Sequence, residues 1–170
     1  SAYRAMEDAY REGKLKAIGV SNFYPHVLVN FCETVDIPPM VNQVELHPFF
    51  AQEKAVQINK DYHVQPEAWA PLGGGRYDAF HNAVLKEIAE KYHKSIGQVM
   101  LRWNIQRGVV VIPKSTHIER IKENIDIFDF ALTEEDMQKI TALDQGYVGT
   151  AVKHFDIDFV KMVLDRKIHD

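Results

Sequence analysis

Apolar positions along the chain follow two periods, one typical of β-strands and the other typical of α-helices. Residues 109–112 form an unbroken β-branched run that ends at Pro113, as expected of a strand buried on both faces of a parallel sheet. From about residue 116 the period lengthens, and Ile118, Ile121 and Ile125 form one apolar helical stripe. This change from strand to helix occurs four times, which predicts parallel strands joined by right-handed helical crossovers.

The predicted elements account for most of the chain. Strands are expected at residues 14–20, 40–46, 64–70 and 109–112. Helices are expected at residues 1–11, from 25, at 51–62, 80–92 and 96–106, from about 116, and from 133 to about 143. No low-complexity segment or long linker interrupts this order, so residues 1–170 are expected to form a single domain.

Composition narrows the class of protein. The chain has 170 residues, 46% hydrophobic and 26% charged, as in soluble globular proteins. A net charge of -4 argues against a nucleic-acid partner, and without a membrane-spanning run or signal peptide a cytoplasmic location is expected. The single cysteine, Cys32, is expected to be an inert core thiol. The eight histidines lack metal-ligand spacing, so no metal site is predicted.

Polar residues and glycines follow each predicted strand. They occur at residues 21–22, 43–47, 69–73 and 114–115. Such residues at the carboxyl ends of parallel strands form the active-site face of a (β/α)₈ barrel. An open doubly wound sheet is the other arrangement that the strand and helix pattern admits.

Two cations lie close to the start of the helix that follows the fourth strand. The helix macrodipole disfavours Lys114 and Arg120 there by about 0.3–1 kcal/mol each. Free backbone N–H groups and two cations around a helix start form a site for an external anion. The alternative is a solvated basic loop that Glu119 and Glu123 partly neutralise.

The sequence Ile-Pro-Lys-Ser at residues 112–115, followed by an arginine, a glutamate and an asparagine, resembles the nicotinamide-cofactor signature of the aldo-keto reductases. In that family the lysine, serine and arginine hold the 2′-phosphate of NADPH, and the glutamate and asparagine meet the adenine. The resemblance therefore implies that NADPH is bound by Lys114, Ser115, Arg120, Glu123 and Asn124.

The resemblance continues in register through the earlier strands. Residues 13–23 resemble the family's fifth strand, whose serine and asparagine, here Ser21 and Asn22, bond the nicotinamide carboxamide. Residues 41–48 resemble the sixth strand, which places Gln43 on the same amide. A hydroxyl and amides suit a carboxamide, which needs both donors and acceptors. Without the resemblance, these residues would be interpreted as turn and cap residues.

Residues 68–73 resemble the seventh strand of the family, where an aromatic residue stacks on the nicotinamide ring. Trp69 stands at this position and supplies a large flat face. Leu72 and Gly73 are expected to approach the pyrophosphate through their backbone groups, since glycine permits a close approach. The alternative for Trp69 is an ordinary core residue.

The resemblance begins at the fourth helix of the family's barrel. The catalytic aspartate, tyrosine, lysine and histidine of the family lie on its first four strands, which are not in this sequence. The implied fold is therefore half of a (β/α)₈ TIM barrel, with four parallel strands and two unpaired edges. The chain would be a fragment of a longer protein, would pair with a complementary N-terminal half, or would close a full barrel as a homodimer.

In a homodimeric barrel, pseudo-symmetry would place Glu45 and His47 of a second copy where the family has its aspartate and tyrosine. His47 is then a candidate surrogate for the missing general acid. The alternative is that His47 only ends its strand.

Two functions follow as hypotheses. The first is an NADPH-dependent oxidoreductase that reduces a small aldehyde or ketone to an alcohol, as the resemblance implies. The second is a catalytically inactive NADP-binding module or truncated fragment, which the absent tetrad favours.

Overall fold

Four parallel strands form one sheet in the computed structural model, which describes residues 2–146 and 157–165. The strands pair in chain order, each with the next, so the order does not reverse as it does in a doubly wound sheet. This order is that of a (β/α) barrel segment and confirms the predicted four-stranded half. The strands are β1 Gly19–Ser21, β2 Val41–Glu45, β3 Gln65–Trp69 and β4 Val110–Val111.

Helices connect successive strands and follow the last one, as predicted. Two 3₁₀ turns, Gly73–Gly75 and Ala79–His81, lie between β3 and the next helix. No helix within the described ranges is long and apolar enough to cross a membrane. The helices are α1 Ala2–Arg11, α2 Pro25–Cys32, α3 Glu53–Asp61, α4 Ala83–Tyr92, α5 Ile96–Gln106, α6 Ile118–Ile125, α7 Glu134–Thr141 and α8 Ile157–Asp165.

Three apolar clusters of described residues hold the sheet and helices together, and two of them position the strand ends. One joins the strands to α3 and includes Val44, Ala68 and Val109. The larger one centres on α4 and α5 and includes Trp103, which is completely buried and donates its indole N–H to Thr141 of α7 at 3.2 Å. Close packing of this kind fixes the direction of each strand and therefore the position of its carboxyl end.

The first predicted strand is shorter than expected. Residues 14–20 were predicted to be extended, but the N–H groups of Lys14 and Leu15 bond the carbonyl of Ala9 and close the end of α1. Gly13, in the left-handed region at φ 73°, makes this closure. At Gly19 the backbones of β1 and β2 meet so closely that a Cβ would lie 2.7 Å from the carbonyl oxygen of Val41.

The burial predicted for the last strand is wrong. Val109 is buried, but Val110 and Ile112 are 41% and 44% exposed, and β4 is an edge of the described sheet. The predicted helix is present as α6, and its apolar stripe of Ile118, Ile121 and Ile125 is at least half exposed. The apolar pattern therefore predicted both elements correctly but not the exposure of the strand.

Other predictions of detail are confirmed or adjusted. The helix predicted at residues 96–106 is present as α5 and opens on a capping box of Ser95 and Gln98, and Thr133 opens α7. The helix predicted from residue 80 begins later, because Asn82 caps α4 by accepting the N–H of Leu85. Cys32 is a buried free thiol whose pKa is raised by burial, as expected of an inert core cysteine.

The tail lies largely outside the described residues. The structure describes only α8 after residue 146. Asp158, expected as a surface charge, is exposed, and Asp156 lies outside the described residues.

Candidate functional site

A pocket of about 560 Å³ lies beyond the carboxyl end of β4. It is enclosed by the 3₁₀ turn Gly73–Gly75, the first turn of α5 and the loop that leads into α6. The fold thus gathers residues from the connection between β3 and β4 and from the segment that follows β4. The predicted residues that line it are Leu72, Lys114, Ser115, Arg120, Glu123 and Asn124.

The two cations of the pocket have no partner within the part of the chain that the structure describes. Among residues 2–146 and 157–165, no hydrogen bond or ion pair involves the side chain of Lys114 or Arg120. Glu119 instead forms an ion pair with Lys122 at 3.5 Å. Two positive charges in one pocket without a carboxylate in contact attract an anion from outside the chain.

The carboxylate of Glu123 is held on the wall of the pocket. It accepts a hydrogen bond from the hydroxyl of Ser95, the residue that caps α5. The pocket is therefore not closed by an ion pair between Glu123 and Arg120. The start of α6 has no side-chain cap, since His117 at this position makes no such bond. A helix start without a cap leaves backbone N–H groups for other acceptors.

The glycines before α4 shape the opposite wall. Gly73, Gly74 and Gly75 all have positive φ, which lets the chain turn sharply after β3. Gly73 was predicted to approach the cofactor, but it is buried and does not line the pocket. Its two neighbours, Gly74 and Gly75, line the pocket in its place.

Sequence reasoning missed several lining residues. Phe80 is 54% exposed and forms an apolar wall together with Leu72 and Gly97. A Cβ added at Gly97 would lie 3.9 Å from both of these side chains, so the glycine leaves room in the pocket. Nothing in the sequence marks Phe80, because it lies in a turn far along the chain from the cofactor signature. Thr116 and His117 also line the pocket.

The remaining predicted residues lie at the ends of β1, β2 and β3 and do not line this pocket. The hydroxyl of Ser21 donates to the carbonyl of Gln43 at 3.0 Å. The indole N–H of Trp69 donates to the side-chain oxygen of Asn22 at 2.9 Å. The amide nitrogen of Gln43 donates to Glu67 at 2.7 Å. The fold therefore brings these four together through contacts with one another and with the neighbouring strand.

A buried charged cluster lies beside them. Glu45, at the end of β2, is 2% exposed and accepts a hydrogen bond from Arg76. His47 is completely buried, with its Nε2 atom 3.3 Å from the same carboxylate oxygen of Glu45. Its ring lies 4.6 Å from that of Tyr77. A carbonyl compound cannot reach His47 in this conformation.

Residues 2–146 and 157–165 contain no group of three or more histidine, cysteine, aspartate or glutamate side chains that could hold a metal ion.

The sheet order, the helical crossovers and the residues gathered at the strand ends define a segment of a (β/α) barrel with its site at the carboxyl face. A sequence model of the Aldo/keto reductase family matches residues 1–145. The chain belongs to the Aldo/keto reductase family.

Individual relatives agree with this assignment. The chain is 51% identical to the glyoxal reductase of Bacillus subtilis over 143 residues, covering 84% of this chain and 51% of that protein. It is 39% identical to the methylglyoxal reductase DkgA of Escherichia coli strain K12 over 145 residues, covering 85% and 53%. The crystal structure of MGS-M4, an aldo-keto reductase from a Medee basin deep-sea metagenome library, is similar with a TM-score of 0.84 and 48% identity. That match covers 86% of this chain and 54% of the other.

The chain spans about half the length of the curated relatives that it matches. Membership of the family therefore does not by itself assign the activity of a whole enzyme to this chain.

Proposed function

We propose that this chain is the NADPH-binding half of a carbonyl reductase and that its pocket after β4 takes the 2′-phosphate end of the cofactor. The observation that carries the proposal is the pair of cations, Lys114 and Arg120, which have no partner in the described part of the chain. A 2′-phosphate would supply the missing negative charge. The pocket volume of about 560 Å³ is within the range of small-molecule sites.

The other residues of the pocket suit the adenosine end of a dinucleotide. Ser115 offers a hydroxyl beside the two cations, and Glu123 and Asn124 offer polar atoms for an adenine edge. Leu72 and Phe80 supply an apolar surface for a flat base. We assign the nicotinamide end to Ser21, Asn22, Gln43 and Trp69, with the backbone near Gly73 following the pyrophosphate.

The cofactor, when bound, supplies the hydride that reduces an aldehyde or ketone to an alcohol. This chain binds and orients the cofactor in the proposal, and the general acid comes from a complementary N-terminal half or from a second copy that closes the barrel. The exposed apolar side chains of Val110, Ile118, Ile121 and Ile125 support such an association, and so does the unpaired edge of the described sheet at β4. A cytoplasmic location stays a prediction.

A comparison of NADPH with NADH, which lacks the 2′-phosphate, tests the proposed phosphate site directly. Isothermal titration calorimetry on the chain should give tighter binding of NADPH than of NADH. Arg120→Ala should weaken NADPH binding by about 10- to 100-fold, because one charge-assisted contact is lost, and should leave NADH binding unchanged. Lys122→Ala removes a positive charge from the same helix outside the pocket and should change neither value. An unchanged NADPH preference in Arg120→Ala would refute the phosphate assignment.

Binding without turnover is the second candidate function, and the burial of His47 favours it. His47 is the one surrogate acid that we predicted, and its ring is inaccessible in the described conformation. Loss of NADPH absorbance in the presence of methylglyoxal measures turnover, and enhancement of NADPH emission measures binding. Turnover that falls in His47→Ala would support the surrogate acid in a homodimer, whereas binding with no turnover by the chain alone would select the binding module.

A further inference from the structure

Arg76 lies over the aromatic side chain to which we assign the nicotinamide. The carbon of its guanidinium is 5.8 Å from the centre of the Trp69 ring, within the range of a cation–π contact. The indole N–H of Trp69 donates to Asn22 at 2.9 Å, which fixes the plane of the ring. One face of an oriented indole is therefore covered by a charged side chain of the same molecule.

A buried carboxylate holds Arg76 in this place. Glu45 is 2% exposed, and the side chain of Arg76 is 34% exposed and donates to its Oε1 atom. A buried carboxylate without a cation is costly, so the pair resists separation. His47 also contacts the same carboxylate oxygen of Glu45, at 3.3 Å.

The backbone around Arg76 is shaped to bring it back over the sheet. The turn Gly73–Gly75 reverses the chain after β3, and the N–H of Arg76 bonds the carbonyl of Gly73 at 3.2 Å. A Cβ at Gly74 would lie 3.4 Å from a guanidinium nitrogen of Arg76, so the arginine packs directly on the glycine. On the other side, the ring of Tyr77 is stacked on that of Phe49 at 5.4 Å and anchors the segment.

We propose that Arg76, held by Glu45, occupies the nicotinamide face of Trp69 in the unliganded chain and must leave it before the nicotinamide can stack. This inference rests on the proposed function, because it takes Trp69 as the stacking residue. It makes the Glu45–Arg76 pair a determinant of cofactor affinity that acts at the nicotinamide end alone. The adenosine end, bound at Lys114 and Arg120, is not affected by it.

Two ligands separate the two ends of the cofactor. NADPH carries the nicotinamide, whereas adenosine 2′,5′-bisphosphate carries only the adenosine and the 2′-phosphate. In Glu45→Gln, which keeps the shape of the side chain and removes its charge, NADPH binding measured by calorimetry should tighten by about threefold or more, since the contact to be broken is weaker. Binding of adenosine 2′,5′-bisphosphate should not change.

Fluorescence quenching without ligand tests independently whether Arg76 covers Trp69. Acrylamide quenches exposed tryptophans, and Trp103 is completely buried, so quenching of the intrinsic emission reports on Trp69. Quenching should increase in Glu45→Gln and in Arg76→Gln. Arg102→Gln is the matched control, because it removes an arginine that lies 6.0 Å from the ring of Phe130, away from the site. Thermal unfolding followed by circular dichroism checks that each variant is folded. If Arg76→Gln does not fold, the double variant Glu45→Gln/Arg76→Gln replaces it, because it leaves no buried charge at this pair.

The outcomes distinguish the inference from the proposed function. An unchanged ratio of the two affinities, with unchanged quenching, would overturn the role of Arg76 while the cofactor site stands. Failure of both ligands to bind the unaltered chain would refute the proposed function, and this inference with it.

Discussion

Asp136 shows how one side chain can carry several contacts of the fold. It is 2% exposed and accepts hydrogen bonds from Lys91 at 2.7 Å, from Tyr92 at 2.5 Å and from Thr133 at 2.6 Å. Burial alone would raise the pKa of its carboxyl, but the bonds from Lys91, Thr133 and Tyr92 outweigh burial and hold this pKa well below its usual range. The carboxylate therefore joins α4 to the start of α7 while it is ionised.

This depressed pKa predicts a loss of stability in acid. A carboxyl that binds its proton less readily in the folded state stabilises it fully above its ordinary pKa of about 3.9, and this contribution is lost as the pH falls below that value. Asp136→Asn should lower the free energy of unfolding by about 2 kcal/mol near pH 7, and the difference from the unaltered chain should shrink towards pH 3. Urea unfolding at several pH values measures both quantities.

A residue without an ionisable side chain provides the control for this prediction. Asn30→Ala, at an exposed position of α2, should leave the pH dependence of unfolding unchanged. A difference between Asp136→Asn and the unaltered chain that stays constant from pH 7 to pH 3 would contradict the assignment of the pKa shift to this residue.

Among the helices, α5 links stability to the pocket. Its capping residue Ser95 accepts the N–H of Gln98 at 3.2 Å and donates to Glu123 on the pocket wall. The N-cap of α4, Asn82, performs the same capping role by accepting the N–H of Leu85 at 3.1 Å, but it has no contact with the pocket residues among the bonds described. The two caps are therefore matched in structure and differ in their connection to the site.

This difference gives a prediction for the two helix caps. Ser95→Ala and Asn82→Ala should each lower the free energy of unfolding by about 1 kcal/mol, the usual value of a cap. Only Ser95→Ala should also change the affinity for NADPH, because it releases Glu123 to approach Arg120. Denaturant unfolding and calorimetry on both variants measure this, and equal affinities in the two would show that Ser95 acts only as a cap.

The described part of the molecule exposes apolar side chains on β4 and on the segment that follows it. Val110 is 41% exposed, and Ile118, Ile125 and Phe128 are 66%, 68% and 63% exposed. Exposed apolar surface and an unpaired strand edge both favour association. The chain should therefore have a mass above its own 19.6 kDa in solution at high concentration.

Analytical ultracentrifugation at increasing concentration tests this association. The double variant Ile118→Lys/Ile125→Glu should shift the mass towards that of a single chain. Val27→Glu is the control, because it alters an apolar residue of α2 that is 39% exposed and lies on another part of the surface. A monomeric unaltered chain, with or without NADPH, would contradict closure of a barrel by two copies.

The features of the molecule that depend on local sequence patterns were predictable, and those that depend on distant contacts were not. The four strands and the pocket after β4 were predictable, because the periodicity is local and the cofactor signature lies within residues 112–124. The order of the strands followed only from the family resemblance, because periodicity also admits a doubly wound sheet. The exposure of Val110 and Ile112 was not predictable, because burial depends on whether a neighbouring strand is present. The pair of Glu45 and Arg76, 31 residues apart, was missed for the related reason that no local pattern joins them.

The close approach at Gly19 has a consequence for the far end of the sheet. Val41 lies opposite Gly19, and two residues further along the same pair of strands Ser21 lies opposite Gln43. Any larger residue at position 19 would force the two backbones apart. This displacement would extend along the paired residues of β1 and β2 to the hydroxyl of Ser21 and the amide of Gln43, which we assign to the carboxamide. The distance between those two groups therefore depends on the absence of a Cβ at Gly19, two residues before Ser21.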